Sequence, residues 1–205
     1  FSLDFLKNTD IFHLMVSFYK PNKKNSGAAC SFSWSDKENT VFVSMIKQHS
    51  WNEKTRNGSF KENFNDPKAK LFIKLSPTEV AEIMNAAERR CECSGYHSSQ
   101  NQIVKFSFKP GFTNDNEFRG LSFSAMRESK EDSTDKTQIL VGFNSGDLVL
   151  IREFLSKCLG KHFDSLIKEN LEKLAARSDN GSANKANQYS SNKEQKAPQA
   201  EPETN

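Results

Sequence analysis

The sequence predicts an α+β fold built from two repeated units, each an antiparallel sheet of about four strands followed by a helix. Three observations predict it. Short stretches alternate apolar and polar residues with a period of two, and Gly, Pro and Asn punctuate them. Twice, such a strand runs straight into a helical pattern, in "LFIKLSPTEVAEIM" (71–84) and "ILVGFNSGDLVLIREFL" (139–155). Local strings also recur. "VSFYKP" (16–21) precedes "CSFSWS" (30–35), just as "VKFSFKP" (104–110) precedes "LSFSAM" (121–126). One unit used twice is more economical than two unrelated domains.

Taken in order, the first unit has strands near 11–20, 28–35, 40–48 and 69–75, then a helix over 77–90. At its junction Ser76 can cap the helix, Pro77 suits the first turn, and Glu79 closes a capping box. The second unit has strands near 91–96, 102–109, 119–127 and 137–143, then a helix over 146–173 with Ser145 in the capping position. Between the third and fourth strands of the first unit lies a long polar insertion, "WNEKTRNGSFKENFNDPK" (51–68). The far end of the second helix, from Leu166 to Leu174, keeps an amphipathic stripe that suits contact between subunits. The domain reading is an N-terminal extension (1–10), one domain made of two repeats (11–90 and 91–177), and a polar tail (178–205). The tail lacks the apolar content to offset its ordering entropy and is expected to be disordered.

Of 205 residues, the net charge is +3, and the tail accounts for −1, so the body is mildly basic and suits a polyanion partner. No apolar run approaches the roughly 20 residues that span a bilayer, so a soluble protein is expected. The chain begins at Phe1 rather than Met, as a fragment or processed product would. Four cysteines are too few for a disulfide scaffold, and Cys91, Cys93 and His97 lack a fourth partner at zinc-ligand spacing. No metal and no cofactor are expected. No nucleophile triad, phosphate-cradling glycine loop or metal quartet stands out, so no enzymatic activity is expected.

Alternation assigns faces. Leu71, Ile73 and Leu75 form a core set, leaving Lys70, Phe72 and Lys74 outward. Val104, Phe106 and Phe108 form another, leaving Lys105, Ser107 and Lys109 outward. Cys30, Phe32 and Trp34 share a face opposite Ser31, Ser33 and Ser35. Lysines interleaved with aromatics suit single-stranded nucleic acid, because cations neutralise phosphates and flat rings stack on unpaired bases. The candidate cations are Lys20, Lys47, Lys70, Lys74, Lys105, Lys109, Arg119 and Arg127. The candidate stacking residues are Tyr19, Trp34, Trp51, Phe72 and Phe112.

With these features in hand, the chain resembles the Whirly-type proteins across roughly residues 11–165. The resemblance rests on "FIKLSPTEVAEIMNA", "KFSFKPGFTNDNEFRGLSFSAM" and "TQILVGFNSGDLVLIREFLSKCLGKHF". It implies two four-stranded sheets each followed by a helix, assembly as a tetramer through the helices, and binding of single-stranded DNA along the sheets. A branch of that family binds guide RNA, and the transcription coactivators that bind single-stranded DNA are shorter relatives. The plant members' Lys-Gly-Lys-Ala-Ala-Leu-Ser motif has no counterpart in "TDIFHLMVS" (9–17), so polyanion contacts must come from elsewhere. The expected function is therefore a non-catalytic, weakly sequence-specific binder of single-stranded DNA in an intracellular setting (nucleoid, organelle or nucleus). The alternatives are a single-stranded RNA or annealing factor, and a protein-interaction scaffold without nucleic-acid activity.

Overall fold

The computed structural model describes the backbone of residues 14–194 except 133, and side chains through Arg177. The N-terminal extension, the start of the first expected strand and residues 195–205 lie outside the described residues. The first unit contains β1 (Met15–Lys20), β2 (Ala28–Ser35), β3 (Thr40–Lys47), the short hairpin strands β4 (Ser50–Asn52) and β5 (Asn57–Ser59), β6 (Lys70–Leu75) and α1 (Pro77–Arg89). The second contains β7 (Cys93–Ser98), β8 (Gln102–Phe112), β9 (Phe118–Ser129), β10 (Lys136–Phe143) and α2 (Ser145–Glu194). Two antiparallel four-stranded sheets result, ordered β1-β2-β3-β6 and β7-β8-β9-β10, with β4-β5 as a separate ribbon. This is the predicted α+β class.

Each strand order follows the chain, so β2 matches β8 and β3 matches β9. The recurring strings align β1 with β8 and β2 with β9, one strand out of step with the fold. Ser-Phe-Ser recurs because any half-buried strand with a phenylalanine inside and serines outside reads that way.

The capping box at Ser76 is formed as expected: Glu79 N–H donates to Ser76 Oγ at 3.2 Å and Ser76 N–H to Glu79 Oε2 at 2.8 Å. The second junction uses Asn144 rather than Ser145. Asp147 N–H donates to Asn144 Oδ1 and Asn144 N–H to Asp147 Oδ2, both at 2.9 Å. This is the same reciprocal arrangement, built from an Asn and an Asp. α2 runs well past 173, and its backbone stays helical into the segment expected to be a tail, as far as Glu194. Extending an existing helix is far cheaper than nucleating one, even through a segment rich in Ser and Asn.

By packing rather than by repeat, the chain divides into two bodies between His162 and Phe163. In the first, the inner faces of both sheets and the inner faces of α1 and α2 share one core. Among the described residues, seven phenylalanines lie buried there: Phe18, Phe32, Phe106, Phe108, Phe123, Phe143 and Phe154. Phe108 and Phe123 stack at 4.2 Å between centroids, and Phe18 meets Phe143 edge-on at 5.1 Å. Much of the chain's high phenylalanine content is thus packing. Gly120 lets β9 pass β10. At φ +137° its Cα lies so close to Phe143 that a Cβ would stand 1.9 Å from that carbonyl oxygen. In the second body, Phe163, Leu166, Ile167, Leu171 and Leu174 are exposed along α2.

Candidate nucleic-acid interface

With the inner faces spent on the core, strand register decides what the outer faces present. On the first sheet, cross-strand rows read Met15–Ser33–Phe42–Lys74, Ser17–Ser31–Ser44–Phe72 and Tyr19–Ala29–Ile46–Lys70. A band of serines therefore crosses the sheet, flanked by aromatic, apolar and cationic side chains. Tyr19 and Phe72 are exposed, at 66% and 56%.

The insertion folds against this face. Gln48, buried beneath it, donates to the carbonyls of Asn22 and Ser50, both at 3.0 Å. Asn63, in a 3-10 turn at Glu62–Asn65, donates to the carbonyl of Lys47 at 3.0 Å. The turn thereby places Phe64 so that Lys70 Nζ lies 4.1 Å from its ring and 4.4 Å from that of Phe72. Phe60 meets Tyr19 edge-on at 6.0 Å. Together these residues enclose a groove of about 640 Å³, floored by Ser31, Ser33 and Ser44.

The second sheet presents Tyr96–Lys105–Met126–Gln138 and Ser94–Ser107–Ser124–Leu140 on its outer face. Lys105 stands 5.8 Å from the exposed Tyr96 ring, and Leu140 is exposed beside them. Again serines cross the middle.

The residues expected from sequence divide accordingly. Tyr19, Lys70, Phe72 and Lys74 share the first outer face, while Lys105 and Lys109 share the second. Lys74 and Lys109 are held by exposed carboxylates, Glu38 at 2.6 Å and Glu92 at 3.1 Å. Phe112, exposed at the end of β8, meets Phe118 edge-on at 6.1 Å, and Arg119 is exposed at the start of β9.

Five expected residues are misplaced for contact with a strand on these faces. Trp34 is buried in the core at 4% exposure, with its Nε1–H donated to Asp36 at 2.8 Å, so no base can reach its ring. Lys20 follows Phe18 onto the inner side and is tied to Asp147 at 2.6 Å, joining β1 to the start of α2. Arg127 follows Leu121, Phe123 and Ala125 onto the inner side and pairs with Asp135 at 3.1 Å. Lys47 pairs in register with the buried Ala28, again on the inner side. Trp51 lies half-buried in the β4-β5 ribbon, opposite Gly58, rather than in the groove.

The residues missed are Met15, Phe60, Lys61 and Phe64 on the first face and Tyr96 and Leu140 on the second. Tyr96 and Leu140 were readable from alternation. Phe60 and Phe64 were not, since the insertion has no periodicity.

Away from these faces, several titratable groups are shifted by their surroundings. Burial pushes the Cys30 thiol up strongly, Cys158 up to about 12 and Cys93 up to about 11, which keeps all three protonated. Partial burial alone would raise Glu79, but hydrogen bonds from Ser76 and from His97, at 2.6 Å, hold its carboxyl below the usual range. Among the described residues, no cluster of three or more His, Cys, Asp or Glu is placed to hold a metal ion.

Among solved structures, the plant transcriptional regulator PBF-2 superposes with a TM-score of 0.51 at 15% identity, covering 77% of this chain and 86% of that one. PBF-2 is a Whirly-family protein. The chain has a Whirly-like fold. Two further structures align less well. One is MRP1/MRP2 of Trypanosoma bruciei (TM-score 0.45, 13% identity, 74% and 85% coverage). The other is a guide-RNA-binding protein complex bound to a guide RNA (TM-score 0.47, 15% identity, 74% and 91% coverage). No protein-family model matches the sequence, and no curated protein matches it. In this chain the insertion encloses a groove on the first sheet of that fold.

Proposed function

We propose that this chain is a non-catalytic binder of single-stranded nucleic acid, DNA foremost, with low overall sequence specificity. The observation that carries the reading is the composition of the two outer faces. Each joins exposed rings to unburied lysines around a band of hydroxyls, with Tyr19, Phe72 and Lys70 on one and Tyr96 and Lys105 on the other. Cations at that spacing neutralise phosphates, and exposed rings offer stacking platforms to any unpaired base. The fold neighbour PBF-2, a plant transcriptional regulator, is in keeping with a nucleic-acid partner. The exposed stripe from Phe163 to Leu174 suits pairing of helices between copies, so the acting form is a homo-oligomer, a tetramer by the Whirly pattern.

The test is a fluorescence-anisotropy titration of the full chain with a labelled oligo-dT of about thirty nucleotides, beside duplex DNA and RNA of equal length. Tight binding to the single strand that weakens steeply with salt is expected. Equal binding to duplex and single strand at low salt would overturn the reading.

A further inference from the structure

The two outer faces are built alike but not walled alike. In the second sheet the third and fourth strands are joined by residues 130–135, whereas in the first the corresponding link spans residues 48–69. That link carries the β4-β5 ribbon and the 3-10 turn, anchored through Gln48 and Asn63. We infer that the insertion makes the first sheet a base-reading site: its groove takes unpaired nucleobases between aromatic walls, with their edges toward the serine floor.

The inference rests on the nucleic-acid reading above and adds to it where base preference arises. A nucleobase has two apolar faces and a polar rim. The groove offers matching surfaces: Tyr19, Phe60, Phe64 and Phe72 as walls, and the hydroxyls of Ser33 and Ser44 below. A hydroxyl both donates and accepts, so it can meet either kind of base edge. Lys61 and Lys70 also line the groove, Lys70 with its Nζ over the Phe64 and Phe72 rings, so a base stacking there displaces the ammonium toward a backbone phosphate. The groove's volume, about 640 Å³, falls within the roughly 300–1,000 Å³ of small-ligand sites and is open enough to admit a flipped-out base. Paired bases have their edges occupied and cannot enter. The second sheet has Tyr96, Lys105 and Leu140 with no comparable insertion over them among the described residues, so a strand lying there is held by its backbone and by unselective stacking.

The experiment compares dissociation constants for oligo-dT, oligo-dA and oligo-dC of equal length, using the full chain. Three variants are measured beside it: Phe60→Ala/Phe64→Ala, Ser33→Ala/Ser44→Ala and Tyr96→Ala/Lys105→Ala. The wild-type chain is expected to rank the three oligomers. The wall variant should lose about tenfold on the preferred one and level the ranking, a loss of the size that one stacked base supplies. The floor variant should change the ranking with little loss of affinity, which keeps the test open if the wall variant misfolds. The second-sheet variant should weaken all three oligomers by the same factor. A ranking unmoved in both groove variants, or no ranking in the wild type, would overturn the inference and leave the proposed function standing. Failure of the wild-type chain to bind any single strand would overturn both.

Discussion

Glu38→Gln is expected to improve nucleic-acid binding, because a carboxylate now occupies the cation that a phosphate would use. Lys74 Nζ sits 2.6 Å from Glu38 Oε2, on the same face as Phe72 and Lys70. Both side chains are largely exposed, at 56% and 44%, so the pair contributes at most about 1 kcal/mol to folding. Its loss should move the melting temperature little. A strand that binds across this face must first displace Glu38, so removing it should raise affinity by no more than about fivefold, the equivalent of that energy. The sharper signature is the salt slope. One added phosphate contact should steepen the dependence of log affinity on log salt by about 0.7 for a single strand. Anisotropy titrations with oligo-dT from 50 to 200 mM salt would measure both quantities. Glu169→Gln is the control, since it changes net charge equally but lies in α2, where its partner among the described residues is Lys173. An identical gain in the control, or an unchanged slope in Glu38→Gln, would refute the reasoning.

The remaining predictions separate binding from folding. Phe72→Ala should cut affinity for oligo-dT by about 1–3 kcal/mol while changing the melting temperature little, because the ring is largely exposed. Trp34→Phe should do the reverse, lowering the melting temperature while affinity of the folded protein holds. Gly120→Ala should destabilise by at least ~2 kcal/mol in chemical denaturation, since both φ and the Phe143 carbonyl oppose a side chain there. Ser76→Ala should cost about 1 kcal/mol. Because Glu79 is held below its ordinary pKa, its contribution is complete above the unfolded value and is lost as pH falls through the folded one. Glu79→Gln should therefore lower stability at neutral pH and flatten its decline below about pH 4, as acid-denaturation midpoints would report.

Period-two alternation carried most of what was legible before the fold was known. It placed Lys70, Phe72 and Lys74 outside and Leu71, Ile73 and Leu75 inside, and the strand-to-helix junction at Ser76 followed from its capping residues alone. The errors among site residues came from choosing by residue type where alternation already gave an answer. Trp34 shares parity with Phe32, Lys20 with Phe18, and Arg127 with Ala125, so all three follow core positions inward. A charged residue at the end of a core-facing series ties the sheet's rim to a neighbouring carboxylate, as Lys20 does with Asp147 and Arg127 with Asp135. The cap at Asn144 was missed for a related reason, since Ser145 has the better-known residue type while Asn144 has the position. The groove was beyond reach. Phe60 and Phe64 enter it through tertiary anchoring by Gln48 and Asn63, and nothing in a local pattern announces such contacts.

The central claim is that a single strand lies across the outer faces of the sheets. Photocrosslinking of the wild-type chain to an oligomer carrying 5-iodouracil, followed by mass spectrometry of the adducts, tests it most directly. Crosslinks at Tyr19, Phe72 or Tyr96, abolished by excess unlabelled single strand but not by duplex, are the predicted result. Adducts confined to the exposed stripe of α2, or none at all under conditions where the strand is bound, would contradict it.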